Sequence, residues 1–378
     1  MLARKFRTLR RVVRREGRAG IMELIKQKLD VRKSLRPPFE YARLAPSALS
    51  QIARHGRPEM LINAIGAGIG DDLLCTAVFR ELRRRGQHKV WVTCKHPDLY
   101  MRNQDVEAVL PPLPRYDVFL SRLGVTVIYP WYTSYNPAYD RDEPMPEQHI
   151  ISVMCQKAAI TGTITLKPYL ELSAGEVTQG KLRPRQIAIQ SSGLDARHSM
   201  ANKNWSADGY QTVVTSLRST FDFVQIGSLG DPPLEGALDM RGKTTLRETA
   251  AVLAASLAFV GQVGLLMHLA RAVDCRSVIV YGGRETPSQS GYSCNENLYS
   301  AVSCSPCWRL NSCPYERKCL QMISAADVIT ALDLQVSRTG SPLACDTAII
   351  TSAQIERNAA RELAAKRTHE FAWSMLYQ

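Results

Sequence analysis

Short apolar runs alternate with amphipathic stretches along most of this chain, and the order in which they alternate predicts its architecture. Met60–Ile65 reads as a strand, and Leu73, Leu74, Val78 and Leu82 repeat at helical spacing over Asp72–Arg85. Val90–Val92, Val106–Leu110 and Val125–Tyr129 read as further strands. Around Leu170–Arg185 the pattern breaks into charged, turn-rich residues, and a second series begins. Its expected strands are Gln186–Gln190, Phe221–Ile226, Ala258–Gly261 and Ser277–Tyr281; its expected helices are Tyr210–Ser219, Leu246–Ala255 and Leu265–Ala272. A last helix is expected over Ala353–Lys366. Strand–helix–strand series repeated on either side of a break predict an α/β protein with two doubly wound sheets. The expected boundaries are a basic segment and linker over 1–57, a first domain over 58–182, a second over 183–335 and a tail over 336–378. Ligands of such sheets bind outside the carboxyl ends of the strands, so two facing sheets predict a central cleft.

Charge changes this picture only at the N-terminus. The chain has 378 residues and a formal net charge of +13. Residues 1–36 hold 13 Lys or Arg against Glu16, Glu23 and Asp30, a balance of +10. Phe6, Leu9 and Val13 repeat at spacings of three and four among these arginines, as in a helix lying on an anionic membrane surface. A frayed basic tail has the same composition. Nucleic acid, the other polyanion, is disfavoured because the segment has no interleaved aromatic platform or known binding motif. No apolar run approaches the roughly 18 residues of a membrane span, and no apolar h-region follows the basic start. Ten cysteines without a secretory signal suit a reducing compartment, so a cytoplasmic protein is expected, peripheral to the inner face of the membrane if the basic segment binds there.

The candidate chemistry begins at Ile65-Gly66-Ala67-Gly68-Ile69-Gly70-Asp71-Asp72, where an apolar run breaks into three alternating glycines and ends in two acids. A glycine-rich turn from strand to helix brings backbone N–H groups close to a ligand. Carboxylates in place of a lysine would repel phosphate and suit a base facing a hydroxyl; either Asp could instead cap the helix. Residues 130–149, rich in Tyr, Pro, Asp and Glu, read as an irregular loop able to grip an acceptor. Cys304, Cys307, Cys313 and Cys319 follow a C-x2-C-x5-C-x5-C spacing. This leaves open a structural four-thiolate zinc or iron site and a set of reduced thiols. No His, Asp or Glu set accompanies them, so a catalytic metal is not expected.

Four blocks together resemble glycosyltransferase family 9, the ADP-heptose–lipopolysaccharide heptosyltransferases and their relatives. They are Ile69–Thr76, Lys203-Asn204-Trp205-Ser206-Ala207-Asp208-Gly209-Tyr210, Phe259–Ala270 and Tyr281-Gly282-Gly283-Arg284-Glu285-Thr286-Pro287, the last followed by the cysteine cluster. Their order and spacing over about residues 58–332 carry the resemblance. It implies a GT-B fold with two Rossmann-like domains, acceptor on the first and nucleotide sugar on the second. It implies inversion at the anomeric carbon without a catalytic cofactor, a nucleotide diphosphate sugar donor such as ADP-heptose, and a glycan or lipid-linked acceptor. By the same resemblance Asp71 is the base and Lys203 faces the donor phosphates. Gln262, Gly264, Leu265, His268, Gly282 and Glu285 lie on the donor side, and Gly70 and Asp72 on the acceptor side. Gln262 stands where the family usually has an acid, and Val263 where it has a small hydroxyl residue. That departure leaves a second expectation beside the enzyme, a non-catalytic nucleotide-sugar binder or regulator.

Overall fold

The computed structural model describes residues 37–64, 68–111, 116–136, 140–196 and 199–376. The basic segment 1–36, and with it the expected membrane contact, lies outside them. The chain divides into two compact units. In the smaller one, helix Pro37–His55 packs on helix Tyr116–Arg122, and the Arg57 guanidinium donates to the Leu123 carbonyl. The expected linker up to residue 57 is therefore helical over Pro37–His55. Prolines are tolerated in the first turn, where their missing N–H has no intrahelical partner to lose.

The larger unit, Pro58–Pro114 with Val125–Gln378, carries both expected sheets. The first holds β1 (Met60–Asn63), β2 (Val90–Thr93), β3 (Ala108–Leu110) and β4 (Thr126–Ile128), all parallel in the order β3-β2-β1-β4. A two-stranded hairpin follows, β5 (Ser134–Asn136) against β6 (Arg141–Glu143), where an irregular loop was expected. β7 (Gly162–Thr165) is set apart from both main sheets. The second sheet holds β8 (Gln186–Ile189), β9 (Asp222–Gln225), β10 (Leu238–Asp239), β11 (Ala258–Gln262), β12 (Ser277–Val280) and β13 (Glu296–Leu298). Its order is β10-β9-β8-β11-β12-β13, again all parallel. β2, β8, β11 and β12 are buried along their whole length, as strands covered on both faces must be. In each sheet the order reverses beside the first strand, at β1/β4 and at β8/β11, and the crevice of a doubly wound sheet opens at that reversal.

The chain then returns to the elements of its first half. β14 (Thr347–Ile350) pairs antiparallel with β7. Helix Ser352–Leu376 lies against helix Ile150–Lys157, where Lys157 pairs with Glu362 and Gln156 meets Asn358. Among the described residues no helix is long and apolar enough to cross a membrane.

Candidate active site

The first glycine turn delivers Asp71. Helix Ile69–Arg84 starts three residues earlier than its apolar spacing predicts, with Gly68 as N-cap and no side-chain cap. Asp71 and Asp72 therefore stand inside the first turn and neither caps it. The Asp71 carboxylate turns to the loop after β4, where Tyr132 Oη donates to Oδ1 at 2.8 Å. Burial raises its proton affinity, with Asp72 and Asp142 adding to the rise; the Tyr132 hydrogen bond and the Lys203 charge oppose it. Asp72 points the other way. It is fully buried, its Oδ2 lies 3.3 Å from Cys94 Sγ, and its carbonyl accepts from Tyr100 Oη at 2.8 Å. The two neighbouring acids thus separate: Asp71 faces Tyr132, and Asp72, expected on the acceptor side, is enclosed beside Cys94. Gly70 faces the second half of the chain, and a Cβ there would stand 3.5 Å from Leu265 Cα and 3.9 Å from His268 Cδ2.

Lys203 arrives on a short loop held from both sides. Trp205 is buried, donates through Nε1 to the Ile323 carbonyl at 3.1 Å and meets Tyr210 edge-on with ring centroids 4.8 Å apart. Gly209 is required beside it, because a Cβ there would come within 2.6 Å of the Trp205 ring. Asn202 ties the other side to the cysteine-rich segment, donating to the Arg309 and Ser312 carbonyls at 3.2 and 2.9 Å. The Lys203 ammonium reaches Glu285 Oε1 at 2.5 Å. Burial lowers the lysine's proton affinity, as does Arg284, while Glu285 and Asp71 raise it. Burial alone would raise the Glu285 carboxyl; Lys203 and Arg284 overcome this and hold it at about 2.

From Glu285 the charges continue. Arg284 donates to Glu285 at 3.0 Å, pairs with Asp142 of the hairpin and lies over the Trp308 ring, 4.6 Å from its centroid. The sequence reading omitted Tyr132, Asp142 and Arg284. Their signals were position alone: two lie in the loop expected to grip an acceptor, and the third precedes Glu285 in the fourth block.

The second glycine turn follows β11. Helix Leu265–Ala272 starts at Gly264, again without a side-chain cap, and its first turn holds no acid. Such a start presents free N–H groups and the positive end of the helix dipole, an arrangement suited to an anion. His268 sits one turn in, buried, with Nδ1 2.7 Å from Tyr292 Oη; burial keeps it neutral, pushing its pKa down to about 3. Gln262 is buried at the end of β11. With its amide oriented to match its surroundings, it donates to the Lys203 carbonyl and to Asn204 Oδ1 and accepts from the Gly193 N–H, at 3.1–3.2 Å. An amide can do both and a carboxylate cannot donate, so the departure from the usual acid has a local reason. Gly282 and Gly283 serve packing. A Cβ on Gly282 would come within 2.9 Å of the Asn202 carbonyl, and one on Gly283 within 2.2 Å of Ser305 Oγ.

The cysteines border this site. Cys307 has Cys304 and Cys319 as electrostatic neighbours, whereas Cys313 Sγ accepts from the Arg317 N–H at 3.3 Å. Among the described residues no three His, Cys, Asp or Glu side chains converge into a metal-holding group, so the four thiols do not fit a tetrahedral site as they stand. All ten cysteines are unpaired.

The model of glycosyltransferase family 9 (heptosyltransferase) matches residues 232–316, the stretch that contains Gln262, Gly264, His268, Gly282 and Glu285. This part of the second half of the chain is similar to glycosyltransferase family 9. Among solved structures, the Escherichia coli ADP-heptose LPS heptosyltransferase II superposes with a TM-score of 0.55 at 16% identity, over 74% of this chain and 99% of its own. A family 9 glycosyl transferase from Veillonella parvula gives 0.55 at 14%, over 74% and 98%. The iron-containing dodecameric glycosyltransferase TibC from enterotoxigenic E. coli gives 0.58 at 18%, over 74% and 76%. These likenesses establish the GT-B fold. No curated protein sequence matches significantly.

Proposed function

We propose that the chain is a glycosyltransferase of the family 9 kind that moves a sugar from a nucleotide diphosphate sugar to a hydroxyl acceptor with inversion, Asp71 acting as base and Lys203 facing the diphosphate. The acceptor O–H gives its proton to Asp71 as its oxygen bonds to the anomeric carbon. The bond from that carbon to the diphosphate breaks, and its electron pair leaves with the nucleoside diphosphate. The observation that carries the reading is that the two glycine turns meet: a Cβ on Gly70, beside Asp71, would stand 3.5 Å from Leu265 Cα at the bare start of the second helix, with Lys203 near enough to act on the Asp71 carboxyl. A base at the hydroxyl and a cation at the departing anion are the two groups such a transfer needs. Glu285 keeps Lys203 neutralised until an anion competes for it, and the bare start of helix Leu265–Ala272 supplies further positive potential.

We take ADP-heptose as the first donor to test, because the heptosyltransferase II structure is named for it and TibC has been solved with ADP-D-β-D-heptose, at 16% identity and a TM-score of 0.54. A glycan or lipid-linked acceptor is taken from the same analogy, because the heptosyltransferase II structure is named for LPS. Calorimetry with ADP tests the donor site: the protein should bind it, and Lys203→Ala should weaken binding about tenfold or more, the scale of one charge-assisted contact. ADP binding that ignores Lys203→Ala would remove the lysine from the donor site.

A further inference from the structure

We propose that Tyr132 is a positioning residue for the base: its hydroxyl holds Oδ1 of Asp71 so that Oδ2 takes the acceptor's proton. This rests on reading Asp71 as the base. A carboxylate turns easily about its terminal torsion, so an unanchored Asp71 would present either oxygen in many directions. The 2.8 Å bond from Tyr132 Oη fixes one oxygen. The other lies over Gly68, whose missing Cβ leaves the space open; a Cβ there would stand 3.2 Å from Oδ2.

The loop is built to hold this hydroxyl in place. Beyond Tyr132 comes the β5–β6 hairpin, which the 308–312 segment fastens on several sides. Asp142 N–H donates to the Trp308 carbonyl at 3.0 Å, and Leu310 N–H to the Asp140 carbonyl at 2.9 Å. Asp140 Oδ2 accepts from the Asn311 and Ser312 N–H groups, and the Asp142 carboxylate pairs with Arg284.

The charges around the pair agree with a donor that never gives up its proton. Burial pushes the Tyr132 phenol far above its ordinary range; Asp71 and Glu285 push it further, against Arg284. Tyr132 therefore donates a hydrogen bond and does not itself titrate. On Asp71 this bond and Lys203 favour the ionised form, against burial, Asp72 and Asp142. Cys75, whose Sγ lies 3.4 Å from the Asp71 carbonyl, stays a thiol because burial and both aspartates raise it.

Difference infrared spectroscopy of the full chain against Asp71→Asn isolates the Asp71 carboxyl band and gives its titration midpoint without substrate. In Tyr132→Phe the midpoint should rise by about one pH unit or more, the scale of a hydrogen bond to a charged group. The acid limb of ADP-heptose hydrolysis, with water as acceptor, should move up with it. Lost rate would then return at higher pH, which a merely structural role would not produce. If Tyr132→Phe does not fold, a fluorinated tyrosine at 132, a stronger donor of the same shape, should move the midpoint down. An unmoved midpoint in either protein, with Asp71→Asn inactive, overturns the role of Tyr132 alone. Full activity in Asp71→Asn overturns the base, and this proposal with it.

Discussion

The two helices that begin at the site, Ile69–Arg84 and Leu265–Ala272, share a backbone device and differ in charge. Each starts at a glycine with no side-chain cap, so each exposes its first N–H groups. The first carries Asp71 and Asp72 in its opening turn; the second carries no acid there. Gly70 of one lies against Leu265 of the other. A bare helix start attracts anions. Where acids already sit in the first turn, that attraction is spent on the protein's own carboxylate; where none sits, it remains for a ligand. In the proposed reaction the same turn serves as base in one place and as diphosphate seat in the other, and the side chains of one turn decide which.

The largest expected effect tests the acidic start. Asp71→Asn keeps the shape and can still accept from Tyr132, but it cannot take a proton. Turnover should fall about 10²-fold or more, the scale of general-base loss, with ADP affinity little changed in calorimetry. Asp72→Asn should leave the chemistry intact, since that side chain is enclosed beside Cys94. An active Asp71→Asn beside a dead Asp72→Asn would show that the wrong carboxylate had been assigned to the site.

A smaller effect tests the acid-free start. Leu265→Glu gives the second helix the first one's charge. ADP affinity should fall about tenfold or more, because a carboxylate in the first turn occupies the positive end of the dipole and repels phosphate. Leu265→Gln, of similar size without the charge, should bind ADP more nearly as the parent does. Equal affinity in the two variants would mean that the diphosphate lies away from this helix.

Much of this contrast could be read from the chain, and the unread part has physical causes. Apolar spacing located the principal strands of both sheets, because strands buried on both faces are continuous apolar runs. It missed β10, β13 and β14, which hold few or no fully buried residues. It also missed helix Ala174–Gly180, although Ser173 and Glu176 form a capping box that the sequence displays. At the site, the glycine turns announced Asp71 and Lys203's block announced its loop. What local pattern could not give was the pairing of distant charges. Tyr132 on Asp71, and Asp142 on Arg284, join residues 61 and 142 positions apart.

The smallest effect separates the two helix starts by pH. Asp71 is a buried carboxyl whose proton affinity is raised above the ordinary 3.8. A raised acid favours the folded state below its unfolded pKa and loses that contribution as pH rises through its folded one. At neutral pH its charge is thus a burden, and Asp71→Asn should melt higher than the parent, by roughly 1–3 °C, with the gain vanishing as the medium becomes acidic. His268 runs the opposite way. Burial holds it at about 3 against an ordinary 6.5, so the unfolded chain binds a proton across that interval and the folded one does not. His149, held at about 4 by burial, acts in the same sense. Stability from these two is fully present above about 6.5 and is lost as pH falls toward 3. His268→Gln should therefore cost most at neutral pH, where the native histidine is neutral and bonded to Tyr292, and its deficit should narrow steadily between pH 6.5 and 4. Melting curves of the parent and both variants across pH 4–8 decide the matter. Opposite trends in the two differences would mean that one helix start holds a strained acid and the other a neutral, protected histidine. Parallel trends would mean that the two starts share one electrostatic environment, and the division of labour between them would fall.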